Sequence, residues 1–327
     1  MKLATYKDGS RDGQLLVVSR DLHTAHHATG IATRLQQVLD DWNFLSPQLE
    51  DLYQTLNQGK TRHAFAFEPR LCMAPLPRAF QWADGSAFLS HMQRLARARG
   101  GEAPADFLDA PRMYQGGSDD LLGPCDDARF ADPAWGIDFE AELAVVTGDI
   151  AMGATAEAAL EGVRLLMLAN DWSLRELVPA ELAKGFGFLQ SKPATAFAPV
   201  AVTPDELGGD WLGGRARLNV QIDWNGRRFG RIDSAAEMGL HFGQLVAHLA
   251  RTRNLRAGSI VGSGTVSQAD AAHGFGCIAE RRACEVADGG SPSTAYMAFG
   301  DRVRIEALDT EGQSMFGAID QLVAAAA

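Results

Sequence analysis

The segment Phe139-Glu-Ala-Glu-Leu-Ala-Val-Val146 decides how the fold of this chain is interpreted. Its apolar run predicts a buried β-strand. Side chains two positions apart in a strand face the same way, roughly 7 Å apart along the chain, so Glu140 and Glu142 share one face. Two carboxylates on a buried face repel each other and are costly to desolvate, whereas a hard divalent cation such as Mg²⁺ or Ca²⁺ removes both penalties. The alternative is that this face points to water, the usual fate of an isolated Glu-x-Glu pair.

Length, composition and charge restrict the class of protein. The 327 residues suffice for one large domain and a smaller one. No apolar run is long enough to cross a bilayer, and residues 1–8 lack the apolar core of a signal peptide, so we expect a cytoplasmic protein. The net charge of −11 argues against nucleic acid or an anionic membrane as partner. No C-x-x-C pair occurs, which predicts reduced, mostly buried thiols rather than a zinc knuckle or a thioredoxin motif.

Periodicity and turn residues predict an α+β protein that is mainly β. A small N-terminal α/β domain, residues 1–75, should contain two strands and a helix that starts near Pro47. The larger domain, residues 76–327, alternates short strands with a few helices, which predicts a rolled mixed β-sheet with helices packed outside it. Its predicted elements are a helix over 155–169, a hairpin over 218–232 with Asn225-Gly226 at the turn, an amphipathic helix over 238–254, and a late hairpin formed by 300–308 and 312–319.

Five polar residues carry catalytic or ligating groups, but each has an ordinary explanation when taken singly. Asp84 lies in a turn sequence, and Asp171 follows the apolar run predicted as a helix, where an N-cap is the usual role of an aspartate. His91 opens a basic helical stretch, and a lone histidine there is more often structural or solvated than catalytic. Lys192 would be a solvated lysine and Glu280 a surface strand residue.

Taken together, these residues match a set of motifs. The chain resembles the fumarylacetoacetate hydrolase family from roughly residue 75 to the C-terminus, because an Asn-Asp-Trp-Ser segment at this distance from a Glu-x-Glu pair is specific to that family. The matching positions are Asp84 with His91 seven residues later, Tyr114 in Met113-Tyr-Gln-Gly116, Glu140 with Glu142, Asn170-Asp-Trp-Ser-Leu-Arg175, Ser191-Lys192, Gly262-Ser-Gly-Thr-Val-Ser267, and Glu280.

The resemblance implies a role for each of these side chains. Four carboxylates would bind one Mg²⁺, Mn²⁺ or Ca²⁺, since oxygen ligands suit hard cations and not zinc: Asp84, Glu140, Glu142 and Asp171. The implied catalytic residues are His91 as the base that takes a proton from water, Glu280 as its orienting partner, and Lys192 and Arg175 as oxyanion stabilisers. The implied substrate-binding residues are Tyr114, Arg175, Lys192 and Thr265.

Some positions depart from the fumarylacetoacetase branch of the family. That branch carries a tyrosine and a glutamine where this chain has Ser86 and Val178, and its threonine shortly after the lysine is displaced here to Thr195. These positions touch the substrate or its neighbouring loop in that branch. The sequence therefore defines the metal site better than it defines the substrate.

The resemblance implies a metal-dependent hydrolase that cleaves a carbon–carbon bond in a fumarylacetoacetate- or acylpyruvate-like 1,3-dioxo acid, in the catabolism of aromatic compounds such as tyrosine. An alternative on the same site is decarboxylation of an oxaloacetate-type 2-oxo acid, or tautomerisation. The combination of His91 and Glu280 favours hydrolysis, because those reactions ask less of an attacking water. A more remote alternative is a non-catalytic, metal-stabilised binding module. The family also implies a homodimer.

Overall fold

Strands and helices alternate along residues 1–326, the part of the chain that the computed structural model describes. The strands are β1 Lys2–Tyr6, β2 Gln14–Val18, β3 Thr24–His27, β4 Phe65–Ala66, β5 Gln81–Gly85, β6 Met113–Gly116, β7 Ala128–Phe130, β8 Ile137–Asp138, β9 Ala141–Thr147, β10 Val163–Asn170, β11 Ser173–Leu174, β12 Ala196–Phe197, β13 Val200–Val202, β14 Trp211–Leu212, β15 Arg215–Ala216, β16 Asn219–Trp224, β17 Arg227–Asp233, β18 Ser259–Gly262, β19 Arg302–Leu308 and β20 Ile319–Ala325. The α-helices are α1 Leu35–Asp40, α2 Trp42–Asn57, α3 Leu89–Ala98, α4 Ala156–Glu161, α5 Val178–Lys184, α6 Phe242–Leu249 and α7 Ile278–Ala287.

Two large sheets organise residues 1–326. The first has 11 strands in the order β4-β3-β2-β1-β13-β10-β9-β18-β5-β6, with β12 paired to β10, and the second has five in the order β17-β16-β19-β20-β7. Each sheet is mixed, because β5 runs parallel to β18 in one and β7 runs parallel to β20 in the other, while their remaining pairs are antiparallel. The predicted α+β, mainly β architecture with peripheral helices is confirmed.

The N-terminal strands belong to the large sheet. Strand β1 pairs with β2 on one side and with β13 on the other, where Lys2 lies opposite Val202. The first 75 residues therefore extend the sheet of the rest of the chain. Their division into a separate domain stays a prediction.

Strand β9 lies at the centre of the large sheet and is buried along its whole length. Successive side chains point to opposite faces, so Leu143 and Val145 pack in one apolar cluster while Ala144 and Val146 pack in another. A strand covered on both faces has a continuous apolar sequence instead of an alternating one.

The sheet topology brings three strand ends to one edge. Strand β9 begins beside the end of β10, where Ala141 lies opposite Asn170, because the two strands are antiparallel. Strand β18 is antiparallel to β9 and parallel to β5, so the end of β5 reaches the same edge, with Gly262 beside Asp84. Glu142 lies on β9, and Asp171 directly follows β10. The strand order alone therefore gathers carboxylates from three distant parts of the sequence.

The predicted helix over 155–169 is wrong in its second half. Helix α4 ends at Glu161, and Val163–Asn170 is strand β10, which is buried at every position except Arg164. The apolar run is equally compatible with a buried helix and a buried strand, and its β-strand pairing with β9 decides between them. Asp171 consequently follows a strand, and not the helix expected before it.

The other boundaries differ by shorter segments. Helix α2 begins at Trp42 and contains Pro47, because Trp42 and Leu45 pack on the apolar core and offset the one backbone bond that a proline removes. Helix α6 spans only Phe242–Leu249 of the amphipathic helix predicted over 238–254.

The two predicted hairpins have different outcomes. In the hairpin of β16 and β17, Asn225 and Gly226 have φ of 50° and 74°, as a tight two-residue turn requires, so this prediction is confirmed. In the late hairpin, the strand that pairs with β19 is Ile319–Ala325, and the predicted segment 312–319 contributes only Ile319 and a bridge from Ser314 to Leu308.

Candidate active site

Three carboxylates converge at the shared edge of β5, β9 and β10. Asp84, Glu142 and Asp171 each place a carboxylate oxygen within 4.8 Å of the other two. All three residues are buried. Because like charges at this separation disfavour simultaneous ionisation in a buried site, the cluster must either take up protons or bind a positive charge.

Glu142 shows this need most clearly. Within residues 1–326, neither of its carboxylate oxygens has a hydrogen-bond partner, although the side chain is fully buried. Burial, followed by the charges of Asp84 and Asp171, raises the pKa of Glu142 well above its usual range. Burial and Asp171 likewise raise the pKa of Asp84 to about 8. Unpartnered acceptor oxygens in an all-carboxylate cluster are the donor set of a hard divalent cation, so these residues fit the metal that the resemblance implies.

Glu140 lies outside this three-carboxylate cluster. Its Oε1 accepts hydrogen bonds from Arg175 Nη2 at 2.6 Å and from Thr265 Oγ1 at 2.9 Å, and its Oε2 contacts Lys192 Nζ. Burial opposes ionisation of this carboxyl, but Arg175 and Lys192 outweigh burial and lower the pKa of Glu140. Two cationic side chains therefore compensate Glu140, and its role as a fourth metal ligand stays a prediction.

Lys192 connects Glu140 to the carboxylate cluster. Its Nζ lies 2.6 Å from Asp171 Oδ2, which also accepts a hydrogen bond from the Tyr114 hydroxyl at 2.6 Å. Burial lowers the pKa of Lys192, but the larger combined effect of Asp171 and Glu140 raises it, so this side chain remains a cation. Thr195, expected to be displaced, donates to Asp171 Oδ1 at 2.7 Å and thus contacts the site after all.

Arg175 is held by two carboxylates. Its Nε donates to Asp138 Oδ2 at 2.8 Å, while its Nη2 donates to Glu140. Asp138 was not among the predicted site residues, yet it also accepts the backbone N–H groups of Ile278 and Ala279, at 2.8 and 3.0 Å, in the first turn of α7. These N–H groups have no partner inside a helix, so Asp138 fixes the start of α7 to the strand that carries the site.

The Asn170-Asp-Trp-Ser segment is shaped by its own side chains. Asn170 Oδ1 accepts the backbone N–H of Glu140 at 3.0 Å, and the Trp172 indole donates to Gln321 at 3.0 Å. Ser173 Oγ donates to Glu140 Oε2 at 3.2 Å. These three residues anchor the chain on both sides of Asp171 and so hold its carboxylate at the sheet edge.

His91 and Glu280 form the second part of the site. His91 lies in the first turn of α3, and its Nδ1 is 3.2 Å from Glu280 Oε1. Glu280 is fully buried in helix α7, so the alternative of a surface strand residue is wrong. Burial alone would raise the pKa of Glu280, but His91, Arg94 and Ser267 outweigh burial and lower it.

The surroundings of Glu280 hold it in one position. Ser267 Oγ donates to Oε1 at 2.6 Å, Arg94 Nη1 lies 3.3 Å from the same oxygen, and the Gly276 N–H donates to Oε2 at 3.0 Å. Arg94 and Ser267 were not predicted. Each carried a signal, since Arg94 follows His91 by three residues on one helix face and Ser267 ends the Gly-x-Gly-Thr-x-Ser motif.

These two parts face one cavity of ≈ 380 Å³. The residues that line it and were predicted as site residues are Asp84, His91, Tyr114, Glu140, Glu142, Arg175, Lys192 and Thr265. Ser86 and Val178, the positions that depart from the fumarylacetoacetase branch, also line it. The structure thus places a carboxylate cluster, a histidine and two cations around a single space of the size of a small-molecule site.

The mixed sheets thus carry a buried carboxylate cluster beside a histidine–glutamate pair, as the resemblance to a hydrolase family predicts. The model of the fumarylacetoacetate (FAA) hydrolase C-terminal region matches residues 81–324, and that of fumarylacetoacetase N-terminal domain 2 matches residues 1–78. The chain therefore belongs to the fumarylacetoacetate hydrolase family. Its relatives are hydrolases and isomerases, and this membership supports enzymatic activity.

Three relatives show the range of the similarity. The chain is 26% identical over 210 residues, 63% of this chain and 65% of the relative, to 2,4-didehydro-3-deoxy-L-rhamnonate hydrolase of a Sphingomonas species. It aligns over all of both chains with a probable 2-hydroxyhepta-2,4-diene-1,7-dioate isomerase from Mycobacterium abscessus, at 19% identity and a TM-score of 0.68. It also aligns over all of both chains with maleylpyruvate hydrolase from Sphingobium sp. SYK-6 in complex with manganese(II) ion and pyruvate, at 16% identity and a TM-score of 0.64.

The Asp84, Glu142 and Asp171 cluster is a group of carboxylates that could hold a metal ion. In residues 1–326, every helix is too short or too polar to cross a membrane.

Proposed function

We propose that the chain hydrolyses a carbon–carbon bond in an acylpyruvate- or fumarylacetoacetate-like 1,3-dioxo acid. The single observation that carries the proposal is the position of His91. Its side chain lines the same cavity as Asp84 and Glu142 of the carboxylate cluster, and its Nδ1 lies 3.2 Å from Glu280 Oε1. A histidine backed by a carboxylate is a general base for water. A metal site with a purely structural role does not require a histidine–carboxylate pair beside the metal.

Different side chains of the site would carry out proton transfer and charge stabilisation. Glu280 on the Nδ1 side of His91 leaves Nε2 to accept a proton from water, whose oxygen then bonds to the substrate carbonyl carbon. Lys192 and Arg175 supply positive charge for the oxygen that becomes negative. Preorganised donors of this kind are each worth about 3–4 kcal/mol of transition-state stabilisation.

The reaction balances as a hydrolysis. The bond between the attacked carbonyl carbon and its neighbouring CH₂ breaks, and its electron pair stays on that CH₂ carbon. His91 returns the proton, so that the products are a carboxylic acid and a ketone that retains the second oxo group. A divalent cation held by Asp84, Glu142 and Asp171 would supply Lewis acidity towards the two oxo oxygens of the substrate. Glu140 would complete this ligand set if Lys192 and Arg175 release it.

Isomerisation or decarboxylation of a 2-oxo acid is the second candidate on this site. The observation that favours it is the structural similarity to a probable isomerase, at a TM-score of 0.68. Such reactions need the cation and the cationic side chains but no attacking water. The position of the His91–Glu280 pair favours hydrolysis over them.

The test measures the loss of ultraviolet absorbance of acetylpyruvate, fumarylpyruvate, fumarylacetoacetate and oxaloacetate, with Mg²⁺, Mn²⁺ or Ca²⁺ added after chelation. We expect cleavage of at least one 1,3-dioxo acid and none of oxaloacetate. His91→Ala should abolish cleavage while cation binding, measured by calorimetry, stays normal, and Glu142→Gln should abolish both. Full turnover by His91→Ala, or turnover of oxaloacetate alone, would refute the proposed hydrolysis.

The proposal extends to the biological setting. We propose a cytoplasmic homodimer that acts on a small dioxo acid during breakdown of aromatic compounds, with neither nucleic acid nor membrane as partner. Light scattering of the purified chain tests the dimer, since a mass near that of one chain would exclude it.

A further inference from the structure

A second, smaller chamber adjoins the catalytic cavity. It has a volume of ≈ 210 Å³ and lies between helices α3, α5 and α7. Leu95, Arg99, Arg175 and Val178 line both spaces, so these four residues form the boundary between them. The chamber therefore lies directly beside the space that a substrate held at the carboxylate cluster would occupy.

The chamber is cationic. Three arginines line it, and no aspartate or glutamate is among its lining residues within residues 1–326. The charge of Arg175 is shared by Asp138 and Glu140. Arg99 and Arg282, by contrast, have no carboxylate oxygen within 4.0 Å in the described part of the chain. Two arginines without acidic partners beside an apolar wall are suited to a carboxylate at the end of a short carbon chain.

Arg282 is fixed for this role. It projects from α7 on the helix face that also carries Ala279, Ala283 and Val286. Its Nη1 donates to the backbone carbonyl of Thr294, and its guanidinium lies 4.2 Å from the centre of the Tyr296 ring. An arginine stacked and bonded on one side has fewer conformations to lose when it binds an anion.

We infer that this chamber is a binding site for a distal carboxylate, in which Arg282 selects substrates whose acyl group ends in a carboxylate. The inference rests on the proposed function for the reacting end of the substrate. Arg282 contacts only the far end of that substrate, so it determines which dioxo acid binds and takes no part in the chemistry.

The experiment compares fumarylpyruvate with its distal methyl ester, which has the same length and lacks the distal charge. Binding of both is measured by calorimetry on the His91→Ala background, alone and combined with Arg282→Gln, Arg282→Lys or Arg281→Gln. Arg281 is the matched control, since it neighbours Arg282 in sequence but lies over Phe229, with its side chain 49% exposed. Hydrolysis of the same pair is followed separately in the variants that retain His91.

We expect the preference for the acid over the ester to fall about tenfold or more in Arg282→Gln, because a charged hydrogen bond is lost. Arg282→Lys should keep part of the preference, and Arg281→Gln should keep all of it. An unchanged preference in Arg282→Gln would overturn the inference, and so would an equal loss of affinity for both compounds, which would mean that Arg282 only supports the Thr294 loop. Absent hydrolysis by the protein with intact His91 would instead overturn the proposed function, while the binding comparison still decides the inference.

Discussion

Asp84→Asn tests the charge balance of the site most directly. The neutral amide keeps the oxygen that accepts the Gly264 N–H at 2.9 Å, so the substitution removes a charge and little else. In the cation-free protein the pKa of Asp84 is raised from 3.8 to about 8. A carboxyl whose pKa is higher in the folded state holds a proton that the unfolded chain releases, and the free energy of unfolding therefore falls as pH rises from about 3.8 to about 8.

The size of this loss follows from the difference between the pKa values of Asp84 in the unfolded and folded states. Each pH unit above 3.8 lowers the free energy of unfolding by about 1.4 kcal/mol, so the loss at pH 7 is about 4 kcal/mol. Asp84→Asn does not titrate and avoids this loss. With the cation chelated, the variant should be more stable than the original chain by about that amount at pH 7 and nearly equal to it at pH 4.

Bound cation should narrow this difference in stability between the variant and the original chain. A cation at one hundred times its dissociation constant stabilises the folded chain by about 2.7 kcal/mol, and the variant, which lacks one ligand, should gain much less. The assay is urea unfolding at pH 4, 5.5 and 7, each with chelator and with Mn²⁺. Asp120→Asn, an exposed aspartate, serves as the control and should change neither series. A variant less stable than the original chain in chelator at pH 7, or equally stabilised by Mn²⁺, would refute the reasoning.

Three further substitutions test other parts of the site. Gly262→Ala places a Cβ 2.3 Å from Asp84 Oδ1, so the carboxylate must move, and calorimetry should show cation affinity reduced by tenfold or more. Gly101→Ala is the control and should leave the affinity unchanged, because its Cβ would make only an ordinary contact with Ala96 O at 3.7 Å. Ser267→Ala removes the 2.6 Å donor to Glu280, and should cost about 1 kcal/mol in urea unfolding and shift the acid limb of the pH–rate profile. Lys192→Met removes a buried ammonium group from between two carboxylates and should destabilise the metal-free protein by about 3–5 kcal/mol. Added Mn²⁺ should recover part of this lost stability.

The large sheet shows how far the sequence alone can predict this fold. The hairpin at Asn225-Gly226 was predicted correctly, because a two-residue turn with positive φ is a local requirement. Strand β10 was taken for a helix, since its apolar residues serve equally well in either element until β9 pairs with them. The pairing of Lys2 with Val202 joins residues 200 positions apart, and no local pattern contains that information.

The site was predicted where its residues sit in contiguous motifs. Asp138 was missed although it extends the two-residue spacing of Glu140 and Glu142, because a third carboxylate in that row has no counterpart in the motif. Thr195 is displaced in sequence yet contacts Asp171, because the neighbouring Ala196 pairs with Asn170 at the sheet edge. Contacts of this kind depend on the path of the chain between motifs, which sequence spacing does not give.

The charges around the cavity connect the proposed divalent cation with the proposed anionic substrate. Within residues 1–326, the ion pairs made by the group Asp84, Asp138, Glu140, Glu142 and Asp171 come from two side chains, Lys192 and Arg175. With all five carboxyls ionised, this buried group carries three more negative than positive charges, and a dioxo acid would be repelled from it. A divalent cation removes most of that excess, so substrate affinity should depend on the cation even where the substrate does not touch it. In the arrangement that we infer, Arg282 of the adjoining chamber then acts on the far end of the same molecule, at a position that the carboxylate cluster does not reach.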